Sequence, residues 1–273
     1  MIPSQLRIRS ELKKKGYTVV RNALDQELKD EILNVTDEFA FKLIKKWGNV
    51  ILKKNIHKDI VNIYLKKNKP NYRRNPDKNL RNKLFFSFIN NDLFFSLKDI
   101  LKKNFWHFSF YKNLRFKSSV LPWSNENWHC DRYVYEKDFY KKNFNFVIVW
   151  IPLQNMDENS RGGLEVIKKN KFFNINFFKR QKKLNPSELH NCSNIVKNNK
   201  SLKTAKPKLK FGDILIMDSY TIHKTNPIKS KKPFWSMDLR FEFDKNTSYE
   251  TKAGGFNYKN TKNYNYRKFI NYK

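Results

Sequence analysis

The amino-acid sequence predicts an α+β fold, with helices first and an antiparallel β-barrel or jelly roll after them. Three observations lead to this expectation. Leu28, Ile32, Val35, Phe39 and Leu43 recur at spacings that put them on one helical face. After Asn104 the chain changes to short β-prone pieces, the last of which, from Trp235 to Phe243, alternates cleanly. Hydrophobic residues make up 39% and aromatics 16% of 273 residues, enough for one substantial core. A single domain over 1–273 is therefore expected, with a helical part at about 1–104, a β core at about 105–245 and a peripheral tail at 246–273.

The elements follow in order. Gly16 punctuates, Tyr17 to Val20 is β-prone, and Asp25 is placed to cap the amphipathic helix. Residues 51–82 are rich in Lys and Asn with weak periodicity and end in PNYRRNPDKN, which reads as an exposed loop, while Leu84 to Leu101 reads as a second core-packed helix. Phe105 to Phe116 is aromatic-rich, and Asn145 to Leu153 is a near-continuous apolar run suited to a buried strand. Residues 168–210 form a polar, basic excursion with little regular pattern. Phe211-Gly212-Asp213 then opens a strand from Ile214 to Met217. In the final strand, Trp235, Met237, Leu239, Phe241 and Phe243 share one face, and Ser236, Asp238, Arg240 and Glu242 the other.

A net charge of +32 invites a nucleic-acid reading, but its composition argues otherwise. There are 45 Lys against 12 Arg, with 35 Asn, a bias that AA-initial codons explain. Proteins that read phosphates and bases favour the planar fork of Arg. Here the Lys residues are scattered without a basic arm, so no specific nucleic-acid partner is expected. Cys130 and Cys192 show no disulfide or zinc-site spacing. The N-terminal stretch lacks an apolar signal region and no apolar run could span a bilayer, which points to a cytoplasmic location.

The chemistry is concentrated in Asn127-Trp128-His129-Cys130-Asp131. On a strand, His129 and Asp131 share a face while Cys130 points away. A third ligand must come from elsewhere, and His223, beyond the Ile214–Met217 strand, is the natural candidate. Two His and one carboxylate leave three positions of an octahedron open for a bidentate 2-oxo acid and O2, the facial triad of non-haem Fe(II) oxygenases. An isolated His-x-Asp is common and means little by itself. Of the other histidines, His57 and His107 read as structural, and His190 lies in the basic excursion. Trp123, Trp128, Tyr133, Trp150 and Trp235 are close enough in sequence to line a substrate pocket, although core packing is the ordinary role for each.

Four blocks together resemble the phytanoyl-CoA dioxygenase-like family. KKGYTVVRNALDQELKDEI resembles its opening strand and helix, and NWHCD its metal-binding His-x-Asp. VWIPLQNMDENSRGGLEVI resembles its buried strand and Gly-rich turn, and KFGDILIMDSYTIHKTNPIKSKKPFWSMDLRFEF the segment of the distal histidine and the 2-oxoglutarate anchor. The resemblance implies a double-stranded β-helix (jelly-roll, cupin-like) core, Fe(II) held by His129, Asp131 and His223, 2-oxoglutarate and O2 as cosubstrates, and hydroxylation of a small organic substrate. Related halogenases replace the ligand carboxylate by a small residue, so Asp131 favours hydroxylation.

Two positions depart from the family. Lys168–Lys171 stands where a Gly-Ser-His turn is frequent. More seriously, an Arg some eleven residues after the distal histidine usually pairs with the far carboxylate of 2-oxoglutarate, and here that position is Phe234. Arg240, with Ser236 on the same polar face, is one substitute, although Arg240 lies six residues further, about 20 Å along a strand. The other expectation for Arg240 is an ion pair with Asp238 or Glu242. Lys231, Lys232 or a basic residue of another strand are further options. Without an anchor, two alternatives stand: a binding protein on the same fold, or a metal-dependent cupin that does not use 2-oxoglutarate.

Overall fold

The computed structural model describes residues 5–46, 56–66, 106–109, 114–121, 124–134, 146–156, 162–168, 191–242 and 256–258. Helix α1 (Gln5–Lys15) leads into strand β1 (Tyr17–Val20), followed by α2 (Gln26–Lys46) and α3 (Ile56–Lys66). Gly16 turns the chain between α1 and β1 at φ 80°, and its N–H reaches the Leu12 carbonyl at 3.0 Å, a left-handed helix C-terminus that favours glycine. Asp25 does cap α2, accepting the Leu28 N–H at 2.7 Å. The expected face of α2, from Leu28 to Leu43, is buried.

The β elements are β2 (Trp106–Ser109), β3 (Leu114–Lys117), β4 (His129–Cys130), β5 (Phe146–Pro152), β6 (Leu164–Ile167), β7 (Thr204–Ala205), β8 (Ile214–Asp218), β9 (Ile222–Thr225), β10 (Phe234–Glu242) and β11 (Phe256–Tyr258). A short helix α4 (Ser193–Lys197) precedes β7. The larger sheet runs β1-β8-β5-β10-β2-β11, with β3 also on β10, and the smaller runs β4-β9-β6-β7. All pairings between these strands are antiparallel. The architecture is the double-stranded β-helix expected.

Strand β5 is buried on both faces, which explains why it reads as an unbroken apolar run. Val147, Val149 and Ile151 pack with Ile214, Ile216, Met237 and Leu239 against the helices. Phe146, Ile148 and Trp150 face the other way and meet Leu164 and Val166 of the smaller sheet. Strand β10 obeys the same alternation. Trp235, Met237 and Leu239 lie under the helices, while Ser236, Asp238 and Arg240 point between the sheets and are buried too. The polar face of this strand is thus an interior surface.

Some sequence expectations need correcting. Residues 5–15 form a helix, anchored by buried Ile8 and Leu12 one turn apart, which the sequence pattern does not announce. Residues 56–66 are helical, with Ile60, Val61 and Tyr64 in the core, where tertiary burial outweighs the weak periodicity; the expected loop PNYRRNPDKN lies outside the described residues. The basic excursion contains α4 and β7. The helix read at 84–101, the segment 169–190 with His190, and most of the tail lie outside the described residues.

Ile216 is fully buried between β8 and the helices, whereas Leu6 is 76% exposed. Ile216→Ala is expected to lower unfolding free energy by about 2–5 kcal/mol, and Leu6→Ala to stay within about 0.5 kcal/mol, measured by denaturant titration. Equal losses would contradict the packing described.

Candidate metal centre

His129 and His223 face each other across the β4–β9 pair, directly in register, with ring centroids 4.2 Å apart. Opposite residues of an antiparallel pair project to the same side, so this register alone brings two imidazoles together. Strand β4 is shorter than expected. It ends at Cys130, and Asp131 opens a 3-10 turn, Asp131–Val134, rather than continuing a strand. The turn still delivers the carboxylate, and Cys130 points away into a separate cluster with Cys192, Ile167 and Ile222. Among the described residues His129, Asp131 and His223 form a metal-competent group, their ligand atoms all within 4.8 Å of one another.

The tautomers are set by the backbone. His129 Nδ1 lies 2.7 Å from the Asn127 carbonyl, and His223 Nδ1 lies 2.9 Å from the Thr221 carbonyl. A carbonyl can only accept, so each Nδ1 carries the proton and each Nε2 presents a lone pair. Thr221 is itself held, since its hydroxyl donates to the Gly16 carbonyl at 2.6 Å. Burial, then the neighbouring His223, push the His129 imidazole down to about 3. It is neutral at pH 7, as a metal ligand must be, so its 3.6 Å approach to Asp131 is not an ion pair there. Burial works to raise the Asp131 pKa, but the Arg240 guanidinium beside it outweighs burial and holds this carboxyl well below the usual range. The donor set of two imidazoles and one carboxylate fits a divalent ion such as Fe(II).

Arg240 donates to Asp131 Oδ2 at 2.6 Å, with both side chains buried. The sequence reading offered Arg240 as cosubstrate anchor or as partner of Asp238 or Glu242, and this pairing with a candidate ligand was not anticipated. Ser236 is buried on the same face. The site also contains residues that sequence reasoning missed. Arg115 grips both oxygens of Glu126 at 2.9 Å and Asp238 at 2.7 Å, and the Lys117 ammonium meets Thr225 Oγ1 at 2.6 Å and Glu126 at 3.3 Å. The pattern Leu114-Arg115-Phe116-Lys117, apolar and basic in alternation, could have revealed them. Of the proposed pocket aromatics, Trp150 lies between the sheets, Trp235 lies under the helices, and Trp128 carries the Lys224 ammonium 4.5 Å over its ring. Trp123 and the side chain of Tyr133 lie outside the described residues.

A double-stranded β-helix with a His-x-Asp and a distal His converging across paired strands defines the class of non-haem iron, 2-oxoglutarate-dependent enzymes. The family model described as phytanoyl-CoA dioxygenase matches residues 12–234, and the chain belongs to this family, whose members use Fe(II), 2-oxoglutarate and O2. A comparison with curated proteins finds no match. The fold is similar to that of the non-haem α-ketoglutarate-dependent epimerase SnoN from nogalamycin biosynthesis, with TM-score 0.52, 13% identity and coverage of 87% of this chain and 82% of that one. It is also similar to the non-haem monooxygenase ThoJ in its nickel complex, with TM-score 0.51, 10% identity and coverage of 86% and 76%. A third is AviO1 from Streptomyces viridochromogenes Tue57, with TM-score 0.50, 11% identity and coverage of 89% and 96%. Among the described residues, no helix is long and apolar enough to cross a membrane.

The depressed Asp131 pKa means that the pair with Arg240 stabilises the metal-free fold above the ordinary carboxylate range and is lost as pH falls through the lowered value. Removing one partner of a buried pair leaves an uncompensated charge. Arg240→Met is therefore expected to destabilise the metal-free protein at pH 7 by about 3–5 kcal/mol, and adding Asp131→Leu to recover much of that loss. Denaturant titration of both variants checks this; an Arg240→Met protein as stable as wild type would contradict it.

Proposed function

We propose that this chain is an Fe(II)- and 2-oxoglutarate-dependent dioxygenase that hydroxylates a small organic substrate, with His129, Asp131 and His223 as the metal ligands. The observation that carries this reading is the convergence of His129, Asp131 and His223, whose ligand atoms all lie within 4.8 Å of one another, with each Nδ1 held by a backbone carbonyl. His129, Asp131 and His223 would hold Fe(II), which would supply the O2 chemistry: 2-oxoglutarate would be oxidised to succinate and CO2 and a substrate C–H bond to C–OH, with one atom of O2 entering each product.

The chain's own residues do the rest. Arg240 orients Asp131 by holding its Oδ2, and the backbone carbonyls of residues 127 and 221 hold the imidazole rings. Ser236 and Arg240 contribute polar wall on the face of β10 that looks between the sheets. Trp150, Leu164, Val166 and Phe234 form an apolar wall that keeps water out of the space between the sheets. Retention of the ligand carboxylate at 131 supports hydroxylation within a fold whose other members include an epimerase.

Anaerobically Fe(II)-loaded protein given 2-oxoglutarate and then O2 is expected to form succinate slowly even without its true substrate. His129→Ala and Asp131→Ala should reduce this to the metal-free background. Succinate formation that survives both substitutions would overturn the ligand assignment. Its absence in the wild type would favour the binding-protein reading.

A further inference from the structure

We propose that Lys117, on β3, holds the far carboxylate of 2-oxoglutarate in this chain, in place of the arginine that the family carries at position 234. The inference rests on the dioxygenase reading above and assigns a residue that reading leaves open.

The register of the sheet puts Lys117 directly opposite Phe234, in the antiparallel pair of β3 with β10. Opposite residues in such a pair share a face, with Cβ atoms about 4.5–5.5 Å apart. A cation at 117 therefore rises from the spot beside the one where the family's cation would rise. The position at 234 has been rebuilt as apolar wall. The Phe234 ring stacks on Trp150 at 6.4 Å and 12°, and a Cβ at Gly162 would come within 2.6 Å of it, so the ring fills space that only glycine leaves open. Loss of the arginine is matched by packing around its replacement and by a buried lysine next door.

Lys117 is also in reach of the metal centre. Its ammonium lies 2.6 Å from Thr225 Oγ1, and Thr225 is two residues along β9 from His223 and on the same face. Two residues of strand span about 7 Å. A five-carbon diacid, at about 1.5 Å per bond, bridges such a gap between its chelating end and its far carboxylate. The neighbouring cations of β3 and β10 are committed elsewhere: Arg115 to both Glu126 and Asp238, and Arg240 to Asp131. Lys117 has only a share of Glu126, at 3.3 Å, whose two oxygens Arg115 already holds at 2.9 Å. Among the described residues, the three donors of its ammonium thus meet one hydroxyl and one shared carboxylate oxygen. The cations Arg115, Lys117 and Arg240 balance the anions Glu126, Asp131 and Asp238. A divalent metal and a dianionic cosubstrate then enter together without changing the net charge of this group.

The test compares two probes on Ni(II)-loaded protein by calorimetry: 2-oxoglutarate, and 2-oxovalerate, which has the same chain without the far carboxylate. Wild type should prefer 2-oxoglutarate by about 10- to 100-fold, the range of a lost charge-assisted hydrogen bond. Lys117→Met should lose that preference while binding 2-oxovalerate and Ni(II) as wild type does, and Lys117→Arg should keep it. Lys117→Gln, which retains a donor to Thr225 without the charge, gives the same readout should Lys117→Met fail to fold. Wild-type preference retained in Lys117→Met or Lys117→Gln would overturn the assignment of Lys117. Wild type that binds neither oxo acid would instead overturn the 2-oxoglutarate reading itself.

Discussion

The site depends on one short antiparallel contact, the pairing of β4 with β9 that sets His129 opposite His223. Ladder geometry fixes the separation of opposed side chains, so the two imidazoles meet with no need for flexible positioning. Each ring is then turned by a carbonyl two residues before it, from Asn127 and Thr221. Thr221 in turn is tied by its hydroxyl to the Gly16 carbonyl, which also accepts the Asp218 N–H at 2.8 Å. The N-terminal helix-to-strand turn thus supports the distal histidine, which lies far along the chain. One-residue slippage of β9 would carry His223 to the opposite face, with Ile222, and dismantle the centre.

The second organising constraint is electrostatic. Space between two sheets is ordinarily apolar, and the half lined by Trp150, Leu164, Val166 and Phe234 follows that rule. The other half holds ion pairs among β3, β10, Glu126 and Asp131. Buried charges are costly unless matched, and paired residues of similar size could often be replaced by hydrophobic ones without loss of stability. Their retention is understandable if they serve a charged ligand. Desolvation pushes the Lys117 pKa down and that of Asp238 up, the directions expected of charges confined in a low-dielectric interior.

Much of this was legible in the sequence because periodicity reports burial directly. The α2 stripe from Leu28 to Leu43, the Asp25 cap, the unbroken β5 run and the β10 alternation all reappear in the structure. Helix α3 was not legible, because its burial depends on partners distant in sequence. The ion pair of Arg240 with Asp131 escaped for a related reason. Alternation shows that Ser236, Asp238 and Arg240 share a face, yet whether that face meets solvent or a second sheet is a tertiary fact. Arg115 and Lys117 hid within an aromatic-rich stretch whose alternation covers only four residues.

The central claim is that His129, Asp131 and His223 form a single metal centre. An anaerobic crystal structure of the Fe(II)-loaded chain, with anomalous data at the iron edge, tests it directly. The account predicts one anomalous peak, bonded to Nε2 of both histidines and to an Asp131 oxygen at about 2.0–2.2 Å, distances typical of first-row divalent ions. Iron bound at other side chains, or by the histidines through Nδ1, would contradict it.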